Sequence, residues 1–303
     1  MAEERELTLR EYFEQQAASF PGKVAYLYAE LNGDIGKEEL PDAAVHGEIS
    51  EMPAPACRPA GNEVRILLSS HARDAVVSAS TIKIPIMLCL FDRMKREGLG
   101  FDTALPVRRE QICEDSLVFE YGPREATLYE LTVWMIVNSD NTATNVLMEY
   151  LGFVRMNEFF VSLGLKETRA QRIMLDFEAV AQGRNNYTSP EDIFRCMDLI
   201  YRQRESDPMM ETAWEILTRN RDHESLQRYL YEPLVCAHKT GGLDDIEHDA
   251  GIFLSPEGDY FLGVFVSEFS GGEAQAKEAA KLIGRLSRRV LDERRGAGYG
   301  ACL

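Results

Sequence analysis

Three short groups of polar residues stand in order along the chain and hold the functional groups needed to attack a carbonyl carbon. They are Ser80-Thr81-Ile82-Lys83, Ser139-Asp140-Asn141 and Lys239-Thr240-Gly241. A serine and a lysine three residues apart share one face of a helix, so the amine lies one turn from the hydroxyl. One such pair is common by chance, whereas all three motifs in this order are rare.

The first motif supplies a predicted nucleophile, Ser80, and a predicted base, Lys83. A serine at the start of a helix faces free backbone N–H groups and the positive end of the helix dipole. A desolvated lysine beside other cations loses its proton readily, and its neutral amine then accepts the proton of the serine hydroxyl. Alone, Ser80 would be interpreted as a helix N-cap; the two other motifs favour the nucleophile.

The second motif falls at the turn between two predicted helices. Ser139 is positioned there to pass a proton to a leaving nitrogen, so we predict that it is catalytic. Asn141 is predicted to bind substrate, either by holding a substrate amide or by steadying Lys83. Asp140 is expected to cap the following helix, which is a structural role.

The third motif follows a strand-like run, PLVCAH, and is expected to bind substrate along the edge of that strand. Lys239 is a predicted catalytic residue that offers a cation to a substrate carboxylate and keeps the proton relay electropositive. Thr240 and Gly241 complete this segment and are predicted to bind substrate. A glycine at position 241 lets a substrate backbone approach the strand closely. The N–H of Gly242 is predicted to form an oxyanion hole with the N–H of Ser80.

Hydrophobic periodicity and turn residues predict the elements that carry these motifs. A helix from Thr8 to about Phe20 precedes two neighbouring strands, KVAYLYAEL and EVRILLSS, joined by a long irregular connection over residues 33–63. Helices dominate from Ser80 to about Tyr201. The strand PLVCAHKTG, the hairpin AGIFLSPEGDYFLGVFVSE and an amphipathic helix then complete the chain.

This order predicts an α+β fold, in which an antiparallel sheet is flanked by both terminal helices and interrupted by an all-helical insertion. Residues 1–79 and 208–303 are assigned to the sheet domain, and residues 80–207 to the helical domain.

The composition of the chain limits the kinds of molecule that the protein is expected to bind. The net charge is −17, from 33 Lys and Arg against 50 Asp and Glu, and such a surface repels nucleic acid. No apolar run is long enough to span a bilayer, so no membrane partner is predicted. The six cysteines are scattered without metal-ligand spacing, so neither a metal, a cofactor nor a disulfide framework is expected. A small molecule is the expected binding partner.

The first residues, MAEERELTLREYFEQQ, are charged and contain no apolar stretch typical of a secretion signal. A cytoplasmic location is therefore expected, or a secreted one if a signal was trimmed ahead of the first residue.

The chain resembles the class A β-lactamases and penicillin-binding serine hydrolases along most of its length. The resemblance is carried by SASTIKIPIM, by LVFEYGP ahead of SDNTATN, by TSPED, and by HKTGG with the hairpin and last helix that follow. It implies an α/β sandwich joined to an all-α domain with the active site between them. It also implies that a β-lactam or peptide carbonyl acylates Ser80 and that water then hydrolyses the acyl-enzyme.

The chain departs from the family in the segment expected to activate the deacylating water. The Glu-x-x-x-Asn pattern that supplies this base is absent, and Met174 stands where the glutamate is expected. Asp176 and Glu178 are the candidate replacements as deacylation base. The structural alternative for both is a solvent-facing acid or a loop-closing salt bridge.

A second departure follows the third motif, where relatives often carry an arginine. This chain reads LDDIEHDAG, whose carboxylates would repel an anionic substrate unless they are turned away. His248 is the one candidate cation there, and a half-buried strand histidine is its expected role. His238 is expected to point to the opposite face of its strand and to be structural.

Three functions are compatible with these residues. The principal prediction is a serine hydrolase that acts on the amide of a β-lactam. The first alternative is a related D-alanyl peptidase, amidase or esterase without efficient β-lactam turnover, which the motifs fit equally well. The second is not an enzyme but a slow-acylating penicillin-binding or sensor domain, which the missing glutamate favours and the lack of an accompanying signalling segment disfavours.

Overall fold

The computed structural model describes residues 7–31 and 64–296, so the predicted connection over residues 33–63 lies outside the described residues. The strands in these ranges are β1 (Lys23–Glu30), β2 (Arg65–Ser70), β3 (Val76–Val77), β4 (Ala104–Val107), β5 (Arg124–Thr127), β6 (Tyr187–Thr188), β7 (Val235–Leu243), β8 (Ile246–Leu254) and β9 (Tyr260–Ser267). The α-helices are α1 (Leu9–Ser19), α2 (Lys83–Glu97), α3 (Leu128–Val137), α4 (Asn141–Leu151), α5 (Phe153–Ser162), α6 (Phe177–Ala181), α7 (Pro190–Gln203), α8 (Pro208–Thr218) and α9 (Gly272–Arg294).

Five strands form one antiparallel sheet in the order β2-β1-β9-β8-β7. Successive side chains of a strand point to opposite faces of the sheet, and those of β1 contribute to the core on each face. Ala25 and Leu27 pack into the core shared with the helical middle of the chain, whereas Tyr26 and Tyr28 pack into the core shared with α1 and α9. The sheet therefore has a hydrophobic core on each face, and the predicted α+β class is confirmed.

The helices that carry the second motif begin and end where their capping residues predict. Thr127 and Glu130 form a reciprocal capping box at the start of α3. Asp140 caps α4 by accepting a hydrogen bond from the Ala143 N–H at 2.7 Å, and Gly152 ends that helix. The Ser139 turn is thus fixed between two well-defined helix ends.

Two small two-stranded sheets were not predicted. The pair β4–β5 forms a short hairpin, and β3 pairs with β6 across more than a hundred residues of sequence. Strands of two to four residues are too short to produce an alternating pattern that sequence analysis can detect. The pair β3–β6 ties the chain ahead of α2 to the chain ahead of α7.

None of the helices in the described ranges is both long enough and apolar enough to cross a membrane.

Candidate active site

Ser80 is partly buried and lies in a 3₁₀ turn, Ala79–Ile82, that leads directly into α2. The preceding residue, Ala79, has a φ of 43°, a left-handed conformation that costs a non-glycine residue about 1–3 kcal/mol. The turn is supported from within, since Thr81 Oγ1 donates a hydrogen bond to the Ser78 carbonyl at 2.6 Å. The predicted nucleophile is therefore held at the N-terminal end of a buried helix.

Lys83, the first residue of α2, is completely buried. Its Nζ donates to the Ser139 backbone oxygen at 2.6 Å and to Asn141 Oδ1 at 3.1 Å. Burial, reinforced by the nearby charge of Lys239, holds the pKa of Lys83 well below its usual range. A neutral amine has two hydrogens, and these two oxygens accept both. Its lone pair then remains to receive a proton.

Ser139 lies at the centre of the cluster. Its φ of 53° is left-handed, and its Oγ lies 3.1 Å from the Nζ atoms of both Lys83 and Lys239. A hydroxyl carries one hydrogen and two lone pairs. When the Lys239 ammonium donates to one lone pair, the hydroxyl hydrogen can be passed on to another atom. The neighbouring Asp140 accepts from Ser116 Oγ at 2.6 Å as well as capping α4, so its role is structural.

Lys239 projects from β7, the edge strand of the sheet, and is almost completely buried. Its Nζ donates to Ser139 Oγ at 3.1 Å and to the Thr240 carbonyl at 2.8 Å. Burial lowers the pKa of Lys239 to about 8, although the carboxylates of Asp222, Asp249 and Glu247 oppose this effect. Lys239 is therefore mainly protonated at neutral pH, and its charge favours the neutral form of the buried amine beside it.

β7 passes so close to the Ser80 turn that only a glycine fits at position 241. A Cβ on Gly241 would lie 2.9 Å from the Ser80 backbone nitrogen and 3.1 Å from that of Thr81. The next residue, Gly242, pairs with Glu247 of β8. The two backbone segments that carry the predicted oxyanion-hole N–H groups therefore lie side by side.

Asn141, the first residue of α4, uses both ends of its amide. Its Oδ1 accepts from Lys83, and its Nδ2 donates to Asp115 Oδ2 at 2.7 Å. A carboxylate offers only acceptors, which fixes the orientation of the amide. Asp115 is exposed, and sequence analysis did not single it out because it lies in an irregular loop, CEDSL, with no motif of its own.

This geometry fits the result of comparison with known proteins. Residues 61–293 match the model of the β-lactamase enzyme family. The chain belongs to that family. The resemblance that the three motifs predicted is thereby confirmed.

Individual members of the β-lactamase family are similar to this chain over most of its length. A β-lactamase of Bacteroides uniformis is 25% identical over 245 residues, which span 71% of this chain and 78% of that protein. The crystal structure of a β-lactamase from Chitinophaga pinensis superposes with a TM-score of 0.75 at 19% identity, covering 94% of this chain and 98% of that one. PBP-A superposes equally well, with a TM-score of 0.75, 23% identity and coverage of 97% and 98%. The structural matches show a shared fold.

Met174, which the sequence predicts to stand in place of the family's deacylating glutamate, has an apolar side chain. Met174 is buried, and its backbone is clamped by Asn145, whose Oδ1 accepts from the Met174 N–H at 2.6 Å and whose Nδ2 donates to the Met174 carbonyl at 3.1 Å. Leu175 follows with a left-handed φ of 62°. Asn145 was not predicted, and its side chain fixes the backbone of this segment in place.

The two candidate replacement bases have structural partners. Asp176 caps α6, its Oδ1 accepting from the Ala179 N–H at 2.9 Å. Glu178 is exposed, and its Oε1 accepts from Gln182 Nε2 at 3.3 Å. Glu178 is thus a solvent-facing acid, the structural alternative that the sequence offered, whereas the helix cap formed by Asp176 was not among the roles predicted for it.

Two of the four carboxylates in the acidic segment that follows the third motif bind neighbouring groups, whereas Asp244 and Asp245 are exposed. Asp249 is completely buried, with Oδ1 2.9 Å from His238 Nδ1 and Oδ2 accepting from the Leu226 N–H at 3.0 Å. Glu247 accepts from Ser225 Oγ at 2.8 Å, and burial raises the pKa of its carboxyl to about 7. His238 is therefore structural, as predicted, and these two carboxylates are held by protein partners.

His248 is completely buried, whereas the sequence predicted a half-buried residue. Its Nε2 lies 3.0 Å from the carbonyl of Val77, to which it must donate. Burial lowers the pKa of His248 to about 4, so the ring is neutral at physiological pH. The reason for the difference is that the segment containing Val77 covers this part of β8. His248 consequently supplies no cation for a substrate carboxylate.

Within the described part of the chain, no group of three or more His, Cys, Asp or Glu side chains is arranged to hold a metal ion. Cys89, Cys113, Cys196 and Cys236 are free thiols.

Proposed function

We propose that this protein is a serine hydrolase of the class A β-lactamase type, which is acylated on Ser80 by the carbonyl of a β-lactam or of a related amide or ester. The observation that carries the proposal is the convergence of two buried lysines on one hydroxyl. Lys83 and Lys239 both lie 3.1 Å from Ser139 Oγ, and the pKa of Lys83 is lowered well below its usual range. A buried neutral amine one turn after a serine is the base that a serine nucleophile needs.

In the acylation step, Ser80 Oγ forms a bond to the substrate carbonyl carbon and its proton moves to the Lys83 lone pair. The negative charge that develops on the carbonyl oxygen is stabilised by the backbone N–H groups of Ser80 and Gly242. Lys239 binds the substrate carboxylate together with Thr240, and the absence of a side chain at Gly241 lets the substrate lie against the strand.

Collapse of this intermediate breaks the carbon–nitrogen bond. The Ser139 hydroxyl gives its proton to the leaving nitrogen, and the Lys83 ammonium restores that proton to Ser139. This returns Lys83 to its neutral form, so every proton is accounted for. Asn141 holds Lys83 in place throughout, because its Oδ1 accepts from Nζ at 3.1 Å.

Hydrolysis of the acyl-enzyme needs a base that activates water, and Asp176 and Glu178 are the candidates on the Met174 segment. Capping of α6 by Asp176 and exposure of Glu178 argue that either base acts weakly. We therefore infer that deacylation is slower than acylation. This favours, as second candidate, a penicillin-binding or peptidase activity in which the acyl-enzyme accumulates. A variant of PBP-A, one of the similar structures, is an acyl-enzyme complex with penicillin G.

The test is mass spectrometry of the protein mixed with a chromogenic cephalosporin. Turnover without a lasting adduct supports a β-lactamase, and a stable adduct on Ser80 supports the penicillin-binding activity. Turnover of a p-nitrophenyl ester without a cephalosporin adduct, lost in Ser80→Ala, supports an esterase or amidase. The exposed Ser206 provides a matched control, and Ser206→Ala should retain activity. Full activity of Ser80→Ala on every substrate would overturn the proposal.

A further inference from the structure

A continuous chain of polar contacts crosses the candidate active site from a cation to a carboxylate. Lys239 Nζ and Lys83 Nζ each lie 3.1 Å from Ser139 Oγ, Lys83 Nζ lies 3.1 Å from Asn141 Oδ1, and Asn141 Nδ2 lies 2.7 Å from Asp115 Oδ2. The two ends of this series of contacts, Lys239 and Asp115, therefore present opposite charges on the two sides of Lys83.

The carboxylate end is open to solvent, unlike the lysines. Lys83 and Lys239 are buried, whereas Asp115 is exposed on the loop that precedes β5. Across residues 7–31 and 64–296, no lysine, arginine or histidine forms an ion pair with Asp115. Its charge is available to a ligand that enters the site.

Asp115 adds a charged acceptor beside the amide of Asn141. One of the two hydrogens of Asn141 Nδ2 donates to Asp115 Oδ2 at 2.7 Å, which leaves the other for a substrate carbonyl oxygen. A protonated amine carried beside that carbonyl can donate a charge-assisted hydrogen bond to the same exposed carboxylate. The arrangement therefore favours a substrate with a cationic group on this side of the site.

We propose that Asp115 is a specificity-determining residue that binds a protonated amine on the side of the scissile carbonyl away from the leaving nitrogen. The preferred substrates are then zwitterions, with a carboxylate directed to Lys239 and an ammonium directed to Asp115. This inference rests on the proposed function, because it assumes that Ser80 attacks a carbonyl lying between those two groups.

Ampicillin and benzylpenicillin form a matched pair of probes, since they differ by one amino group on the acylamino side chain. The second-order rate constant for acylation of Ser80 is measured for each by mass spectrometry at pH 7. We expect ampicillin to react about fivefold faster, the upper end for a solvent-exposed ion pair. Asp115→Asn keeps an acceptor for Asn141 but removes the charge, so the ratio of the two rate constants should fall to about one.

Glu120→Gln is the matched control, because Glu120 is an exposed acid on the same loop and has no contact with Asn141 in the described structure. That variant should keep the wild-type ratio. Salt provides a second measurement that needs no variant, since raising the ionic strength screens an exposed ion pair and should lower the wild-type ratio toward one.

Equal rates for the two penicillins in the wild-type protein, or a preference for ampicillin that survives both Asp115→Asn and high salt, would overturn the inference and leave the proposed function standing. Failure of both penicillins to acylate Ser80 would overturn the proposed β-lactam acylation, and the inference with it.

Discussion

The side-chain nitrogens of Lys83 and Lys239 lie at the same distance, 3.1 Å, from a single oxygen, Ser139 Oγ. Two buried amines this close cannot both carry a charge without a large penalty. Lys239 has carboxylates nearby that favour its ammonium, and the pKa of Lys83 is lowered well below its usual range. In the proposed mechanism, Lys239 is therefore the cation and Lys83 the base, although their side chains are identical.

Lys83→Ala removes the proposed base and should slow acylation of Ser80 by about 10³-fold, within the range for loss of a general base. The rate is followed as formation of the covalent adduct by mass spectrometry. Lys277→Ala is the control, because Lys277 is exposed on α9 and forms a surface ion pair with Glu273. An unchanged acylation rate in Lys83→Ala would remove Lys83 from the mechanism.

The pH dependence of acylation follows from the same pair. In the proposed mechanism, acylation needs Lys83 neutral and Lys239 charged, so the rate should rise as Lys83 deprotonates and fall as the pH passes through about 8, the pKa of Lys239. Lys239→Arg keeps the charge to higher pH, and its alkaline limb should move upward. The profile of kcat/KM measures both limbs. An alkaline limb that stays at the same pH in Lys239→Arg would assign it to another group.

Gly241→Ala tests the close approach of β7 to the Ser80 turn. The added Cβ would lie 2.9 Å from a backbone nitrogen, so the strand or the turn must move. We expect acylation to fall by at least about 10²-fold, the loss that small misplacements of reacting groups produce. Gly242→Ala is the comparison: its Cβ would lie 3.3 Å from the end of the Glu247 side chain and its N–H is kept, so the loss should be much smaller. Equal losses in the two variants would contradict this interpretation.

Met174→Glu should supply a base at the position where the sequence predicts the family's deacylating glutamate. Asn145 forms its hydrogen bonds with the Met174 backbone, so these bonds are kept when the side chain is changed. The lifetime of the Ser80 acyl-enzyme, measured after removal of free substrate, should shorten by about tenfold or more. Met174→Gln has a similar shape without a carboxylate and should leave the lifetime unchanged. If both variants shorten it equally, the effect is not base catalysis.

Sequence patterns predicted the large elements because each has a local signal. The two helices that meet at Ser139 were confirmed by their caps, and the final hairpin by its turn between β8 and β9. The β4–β5 hairpin was missed because strands of four residues with exposed positions give no periodic pattern. The boundaries of the two domains at residues 80 and 208 stay predictions.

Within the site, sequence order located the residues that belong to motifs but not those that support them. The contact between Asn141 and Asp115 spans 26 residues of chain, and that between Asn145 and Met174 spans 29. Neither pair has a characteristic spacing, since their proximity depends on how separate loops and helices pack. His248 was placed on the right element, but its burial depends on coverage by Val77 from a distant segment.

The order of strands in the sheet has a consequence for the way the protein is made. β1 lies between β2 and β9, and Lys23 pairs with Ser267, which is synthesised more than 240 residues later. Until β9 is made, one edge of β1 is unpaired and its apolar side chains are exposed. Exposed strand edges of this kind favour aggregation, which chaperones prevent. Contacts so distant in sequence also slow folding. β7, the edge strand beside Ser80, joins β1 only through β8 and β9. It can therefore reach its final position only when β9 has left the ribosome.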